Sequence, residues 1–232
     1  MNRWCVAVVL IAALLCVGIA GAERPVKEPV DKLVFVHYKD AARAPPAGDQ
    51  TASYKLMGMK WKQFPVSYTV NTANTCGLTA GAVGENVQAA FSAWDASTSR
   101  ALFGTGGLTS AAPAVGRNDV FWGPIEDRNV IAVTTVWYTR GSKEIVEADI
   151  QLNAYLTWGI DANGEVPGYA LANAYDVRNI VTHEAGHVCG LADLYAVRAS
   201  ELTMYGYGGL GEVKKDSLEA GDVAGLRKLY GA

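Results

Sequence analysis

His183 and His187 stand four residues apart, with Glu184 beside the first and Gly190 three residues beyond the second. Side chains at i and i+4 project from one face of an α-helix, so this spacing predicts a helix that presents two imidazoles to a common point with a carboxylate next to them. Asp176 is the predicted N-cap, and Val177, Ile180, Val181, Ala185 and Val188 fall on one apolar stripe that ties the helix to a core. Gly190 is expected to end the helix in a left-handed conformation and turn the chain back, which brings Asp193 to the place of a third ligand. Two nitrogens, one oxygen and an open fourth position are what a catalytic zinc ion uses. The plain alternatives are surface histidines, which the rarity of the spacing opposes, and for Asp193 an ordinary turn carboxylate.

The rest of the chain must build a fold around that helix. Val66, Tyr68 and Val70 alternate with Ser67 and Thr69 as in a half-buried strand, and Asn74 to Gly77 has turn chemistry. Val83, Val87, Phe91 and Trp94 then recur at helical spacing, with Gly81 and Gly84 weakening the helix. The glycine- and alanine-rich stretch Ala101 to Gly116 reads as a loop, followed by strands at Val120 to Trp122 and Val130 to Thr139. Between Glu144 and Leu156, Val146, Ala148, Ile150 and Leu152 make an apolar face opposite Glu147, Asp149, Gln151 and Asn153. A last helix is expected from Leu218 to Tyr230, with Val223, Leu226 and Leu229 inward and Gly231 behind it. This order predicts a mixed α/β (α+β) domain with a mixed sheet of about five strands, one helix bearing the motif and one C-terminal helix.

Composition sets the compartment and excludes some partners. The chain is 50% hydrophobic and 19% charged with a net charge of -3, which argues against a disordered chain and against a nucleic-acid binder. Arg3, an uncharged run from Trp4 to Ile19 and the small residues Ala20-Gly21-Ala22 predict a secretory signal peptide over residues 1–22, hence a secreted protein with no membrane attachment once the signal is removed. The rival is an uncleaved anchor, because the same run could just span a bilayer. Cleavage would remove Cys5 and Cys16 and leave Cys76 and Cys189, which are read either as one disulfide or as two separate thiols. Residues 23–60 read as a proline-rich N-terminal arm or pro-segment with one strand-like stretch, Leu33 to Tyr38, and residues 61–232 as the domain proper. Asp161-Ala162-Asn163-Gly164 has donors for calcium, but a plain turn explains it better.

The segment from His183 through Gly190 to Asp193 resembles the extended zinc motif of the metzincin metallopeptidases, HExxHxxGxx followed by His or, in fewer members, Asp, and is similar in kind to the matrixin-like branch. Thr203-Met204-Tyr205-Gly206 resembles the Met-turn of those proteins, Glu147 to Asn153 the strand near the rim of their cleft, and Leu226 to Gly231 the end of their last helix. The resemblance implies a zincin-like domain and one catalytic zinc held by His183, His187 and Asp193, with Glu184 as general base and Met204 as the floor of the site. It also implies polypeptide substrates in a cleft between the upper strands and the motif helix, where Tyr205, Tyr207 and Leu210 would wall an apolar pocket. Two family features are missing: histidines for a second, structural zinc, and a cysteine in the arm to enforce latency. His37 or Asp40 of the arm could instead take the open metal position, although an arm merely paired with the sheet explains these residues as well. The competing function is a secreted, non-catalytic binding protein on a zincin fold, which has no use for Glu184; a zinc hydrolase acting on other bonds is a third. Nothing in the sequence fixes the oligomeric state.

Overall fold

In the computed structural model, which describes residues 28–39, 53–162 and 171–232, the chain alternates short strands with three α-helices. In order these are β1 (Val30–Lys39), β2 (Thr69–Asn71), α1 (Ala80–Asp95), β3 (Gly107–Thr109), β4 (Asp119–Gly123), β5 (Val130–Thr139) and β6 (Ile145–Asn153). They are followed by β7 (Trp158–Gly159), β8 (Tyr175–Asp176), α2 (Val177–Cys189), β9 (Tyr207–Gly208) and α3 (Ala220–Tyr230). The predicted signal peptide, much of the predicted arm with Asp40, and Asn163 and Gly164 of the candidate calcium turn lie outside the described residues. No helix of the described residues is long and apolar enough to cross a membrane.

Seven strands form one mixed sheet in the order β3-β2-β4-β6-β5-β1-β9, while β7 and β8 pair separately. The class is the expected α+β, but the sheet has seven strands rather than about five. The two additions, β3 and β9, span three and two residues and are too short to carry a period. β3 accordingly lies inside the stretch that reads as loop. Neighbours from β3 to β6 run parallel, β5 runs antiparallel to β6, β1 antiparallel to β5, and β9 parallel to β1. The strand-like piece of the arm is therefore an inner strand of the sheet, paired with β5 from Val30↔Thr139 to Tyr38↔Val130.

Helix α1 starts where the Thr79 side chain accepts from Ala82 N and buries Val83, Val87, Ala90, Phe91 and Trp94. Phe91 stacks on Tyr68 with ring centroids 4.0 Å apart, and Trp94 Nε1 donates to Thr182 O at 2.9 Å, tying α1 to both the sheet and α2. These contacts make α2 an interior helix.

The packing corrects three expectations. Val146 is 43% exposed and Ile145 takes its place inside, because the register with β5 slips between Trp137 and Tyr138 and leaves Val146 as the extra residue of a bulge. On α3 the buried face runs through Gly221, Asp222, Gly225, Leu226 and Tyr230, with Val223 and Leu229 only half-buried. Tyr54 and Leu191 press so closely on Gly225 that a β-carbon there would lie 2.9 Å from each. The cysteines do not pair: both are free, Cys189 buried in the last turn of α2 and Cys76 beside Trp158, whose N–H points at its sulfur from 3.2 Å.

Candidate metal centre

Helix α2 is capped as its sequence suggests, Asp176 accepting from Asn179 N at 2.7 Å, and it ends at Gly190 with φ of 102°. The left-handed residue lets Leu191 N reach back to Gly186 O at 3.0 Å, after which the chain returns beneath its own last turn. A side chain at position 190 would also meet Met59 O, 2.6 Å from where its β-carbon would stand. The return puts Asp193 Oδ1 at 3.2 Å from His183 Nε2 and 3.3 Å from His187 Nε2.

Backbone carbonyls settle the tautomers of both histidines. His183 Nδ1 donates to Thr203 O at 2.7 Å and His187 Nδ1 to Leu191 O at 2.9 Å, so each Nε2 lone pair faces Asp193. His183 Nε2 and Asp193 Oδ1 are buried without a hydrogen bond, which is costly unless something else binds them. A tetrahedral ion with bonds of about 2.0–2.1 Å spaces its ligands by roughly 3.3–3.4 Å, and Asp193 Oδ1 stands at 3.2 and 3.3 Å from the two imidazole nitrogens. The donors present therefore fit a zinc-like ion.

The charges agree with this fit. Burial would raise Asp193, but the two imidazoles outweigh it and hold the carboxyl well below its ordinary range. Burial drives His183 down to about 4, whereas Asp193 and Glu184 overcome the burial of His187 and move it upward. A buried carboxylate between two imidazoles requires one positive charge, which either a proton on His187 or a cation supplies.

Several residues that hold the site were not apparent from the sequence. Tyr195 Oη donates to Asp193 Oδ2 at 3.0 Å, which turns Oδ1 toward the histidines. Asp222 accepts from Thr203 N at 2.9 Å and Met204 N at 3.1 Å, fixing the turn that carries the Thr203 carbonyl. Met204 is buried against Gly186 and Trp94, as a floor residue should be. Each of these partners is remote in sequence or sits in a loop without periodicity, so only the Met-turn resemblance hinted at any of them.

The expected open cleft is filled. The inner face of β1 carries Leu33, Phe35 and His37, and Phe35 stacks on His187 with centroids 4.2 Å apart and planes 16° from parallel. His37 lies beside His183 and, with His183 and Glu184, makes a second buried group of donors close enough to share an ion. Its Nδ1 donates to Glu184 Oε1 at 3.1 Å, and its Nε2 accepts from Lys215 Nζ at 3.1 Å. Lys215, fully buried, also donates to Tyr205 O at 2.9 Å and Tyr207 O at 2.7 Å and pairs with Glu212 Oε1 at 3.5 Å, which together satisfy its charge and its protons. The second oxygen of Glu184 accepts from Thr134 Oγ1. Burial raises the Glu184 carboxyl to about 7 and, with the charges of His183 and Lys215, keeps His37 neutral. Tyr205 is turned into a small cluster with Ala199 and Leu202, and Leu210 is 52% exposed.

No family model matches the sequence, and no curated protein is similar enough to count as a relative.

Proposed function

We propose that the chain is a secreted zinc-dependent endopeptidase, similar to the matrixin-like metzincins, with Glu184 as its general base. The observation that carries this reading is the convergence of His183 Nε2 and His187 Nε2 on Asp193 Oδ1, at 3.2 and 3.3 Å, with two of the three atoms buried without a hydrogen bond and a buried carboxylate alongside. The motif helix under a mixed sheet and Met204 against Gly186 support the zincin-like arrangement that the sequence motif implies.

His183, His187 and Asp193 would hold one zinc ion, which when bound supplies Lewis acidity, polarising a carbonyl and easing the deprotonation of water. The remaining chemistry belongs to the chain. With Oε2 held by Thr134, Oε1, which here accepts from His37, is the atom that would take the proton of the attacking water and return it to the leaving nitrogen once His37 is withdrawn. An extended peptide would lie along β5, adding its backbone to that strand. Asp193 in place of a third histidine would leave a zinc site held by these residues one unit less positive.

A second reading, a secreted binding protein that keeps zinc for stability, is favoured by one observation: the whole site is buried and both Glu184 oxygens are engaged. Against it stands the ligand set, since a structural zinc site normally closes its fourth position with another protein ligand. The test is hydrolysis of an unstructured protein before chelation, after it, and after zinc is restored, with zinc content measured on the same samples. Cleavage lost and regained with zinc supports the peptidase. One zinc per chain without cleavage, even when β1 is destabilised by substitution, favours the binding protein.

A further inference from the structure

The side chain of His37 is received differently from its neighbour Phe35. Phe35 lies flat on His187, whereas the imidazole of His37 enters a recess bounded by the His183 ring, with centroids 4.0 Å apart, and by the backbone of Gly208. A β-carbon at Gly208 would stand 2.9 Å from His37 Nε2 and 3.2 Å from Ile131 Cδ1, so glycine gives the recess its width. His37, Ile131 and His183 are all buried, and the recess lies beside Glu184, whose Oε1 is 3.1 Å from His37 Nδ1.

The floor of the recess is an ammonium group. Lys215 Nζ gives two protons to Tyr205 O and Tyr207 O and aims a third into the recess at His37 Nε2, 3.1 Å away. The two tyrosines thus shape the recess through their carbonyl oxygens. Lys215 is held in place by its backbone, because its N–H donates to Asn179 Oδ1 at 2.8 Å and Arg178 Nη2 donates to Asp216 O at 3.3 Å. These bonds fasten the one-turn 3-10 helix Lys214–Asp216 to α2, which carries the two histidines. Glu212 Oε1, 3.5 Å from Nζ, offsets part of the charge. What the third N–H needs is an acceptor: an aliphatic guest would bury it unpaired, and a lysine or arginine guest would add a like charge.

We propose that this recess is a side-chain specificity pocket for the substrate residue flanking the scissile bond, and that Lys215 makes it select a neutral hydrogen-bond acceptor, glutamine or histidine. The amide oxygen of glutamine stands as many bonds from its α-carbon as the imidazole Nε2 does, so it reaches Nζ from the same backbone position. Asparagine and aspartate are shorter, and glutamate would bring another carboxylate beside Glu184 and Glu212. The assignment to a residue at the scissile bond rests on the peptidase reading, whereas the preference of the recess for an acceptor rests on Lys215 alone. The pocket expected from the sequence was apolar; a buried ammonium at its floor gives the opposite selectivity.

Two measurements on the full, zinc-loaded chain test this. The first reads the recess through its resident side chain, comparing the denaturant unfolding of His37→Gln and His37→Leu, each in the parent and together with Lys215→Met. In the parent, His37→Gln should exceed His37→Leu at least about tenfold in the folding equilibrium constant, and Lys215→Met should erase most of that advantage. Equal or greater stability of His37→Leu in the parent, or an advantage of His37→Gln that Lys215→Met leaves intact, overturns the proposal. If Lys215→Met fails to fold, the comparison in the parent still decides. The second measurement is digestion of an unstructured protein, with the cleavage sites identified by mass spectrometry. Relative to their abundance, glutamine and histidine should be favoured at least about tenfold over leucine and lysine at one position beside the cleaved bond. Selection of aliphatic residues at that position overturns the proposal. A preference at position 37 that depends on Lys215, without cleavage of any protein, upholds the acceptor-selective recess and refutes the peptidase.

Discussion

Met204 Sδ fills the space that any side chain at Gly186 would need: a β-carbon there would overlap the sulfur and come 2.6 Å from Trp94 Cζ2. Glycine between Ala185 and His187 is thus a packing requirement of the floor. Gly186→Ala should lower stability by about 1–3 kcal/mol through overpacking, despite the better helix propensity of alanine, and weaken zinc binding as α2 shifts. Thermal unfolding and a zinc titration of the same variant check this; an unchanged melting temperature would contradict the packing argument.

Glu184→Gln keeps the shape of the side chain and removes the proposed base. Peptide hydrolysis should fall by at least about a hundredfold while zinc content stays at one per chain, since Glu184 is not among the three metal-facing atoms. Paired measurements of kcat and bound zinc decide it, and retention of full activity would end the proposed mechanism.

Tyr195 acts only through Asp193. Tyr195→Phe removes the hydroxyl that holds Oδ2, and zinc affinity should drop by roughly 10- to 100-fold, the usual cost of losing a partner of a metal ligand. Competition with a chromophoric chelator reads this directly. Asp193→Ala should go further and abolish stoichiometric binding at micromolar zinc.

Asp149 supplies a pH signature away from the site. Burial, with repulsion from Asp119 and Glu147, raises its carboxyl from 3.8 to about 6. Between those values the folded chain holds a proton that the unfolded chain has lost, so this group makes stability fall as pH rises through that window. Asp149 Oδ1 accepts from Asp119 N at 2.9 Å, and the amide oxygen that Asp149→Asn introduces would accept the same bond without ionising. The melting temperature of Asp149→Asn minus that of the parent should therefore increase from pH 4 to about pH 6 and level off above it. A difference that is flat across this range would show that Asp149 titrates normally.

Helix α2 was legible because everything that defines it is local: the cap at Asp176, the stripe from Val177 to Val188, the break at Gly190 and the i, i+4 histidines. What closes the site was not, because His37 meets Glu184 across 147 residues and no period links the two. Reading His37 as a candidate occupant of the open metal position picked out a residue that the structure places on Glu184 and beside His183. Lys215, in a one-turn 3-10 helix, looks like a surface charge until its three carbonyl and imidazole acceptors are seen. The faces of β6 and α3 were misjudged for different reasons. A bulge displaced Val146, and on α3 the inward face includes Gly221, Asp222 and Gly225, which an apolar stripe cannot reveal.

The pairing of β1 with β5 has a consequence for handling the protein. β5 reads Val-Ile-Ala-Val-Thr-Thr-Val-Trp-Tyr-Thr, with no charge, glycine or proline, and β1 covers the edge opposite β6. Such a segment with an unpaired edge carries the signature of intermolecular cross-β association. Withdrawing β1 would expose that edge, so loss of soluble material on weakening the β1–β5 pairing would report an uncovered strand, even where the rest of the domain is still folded.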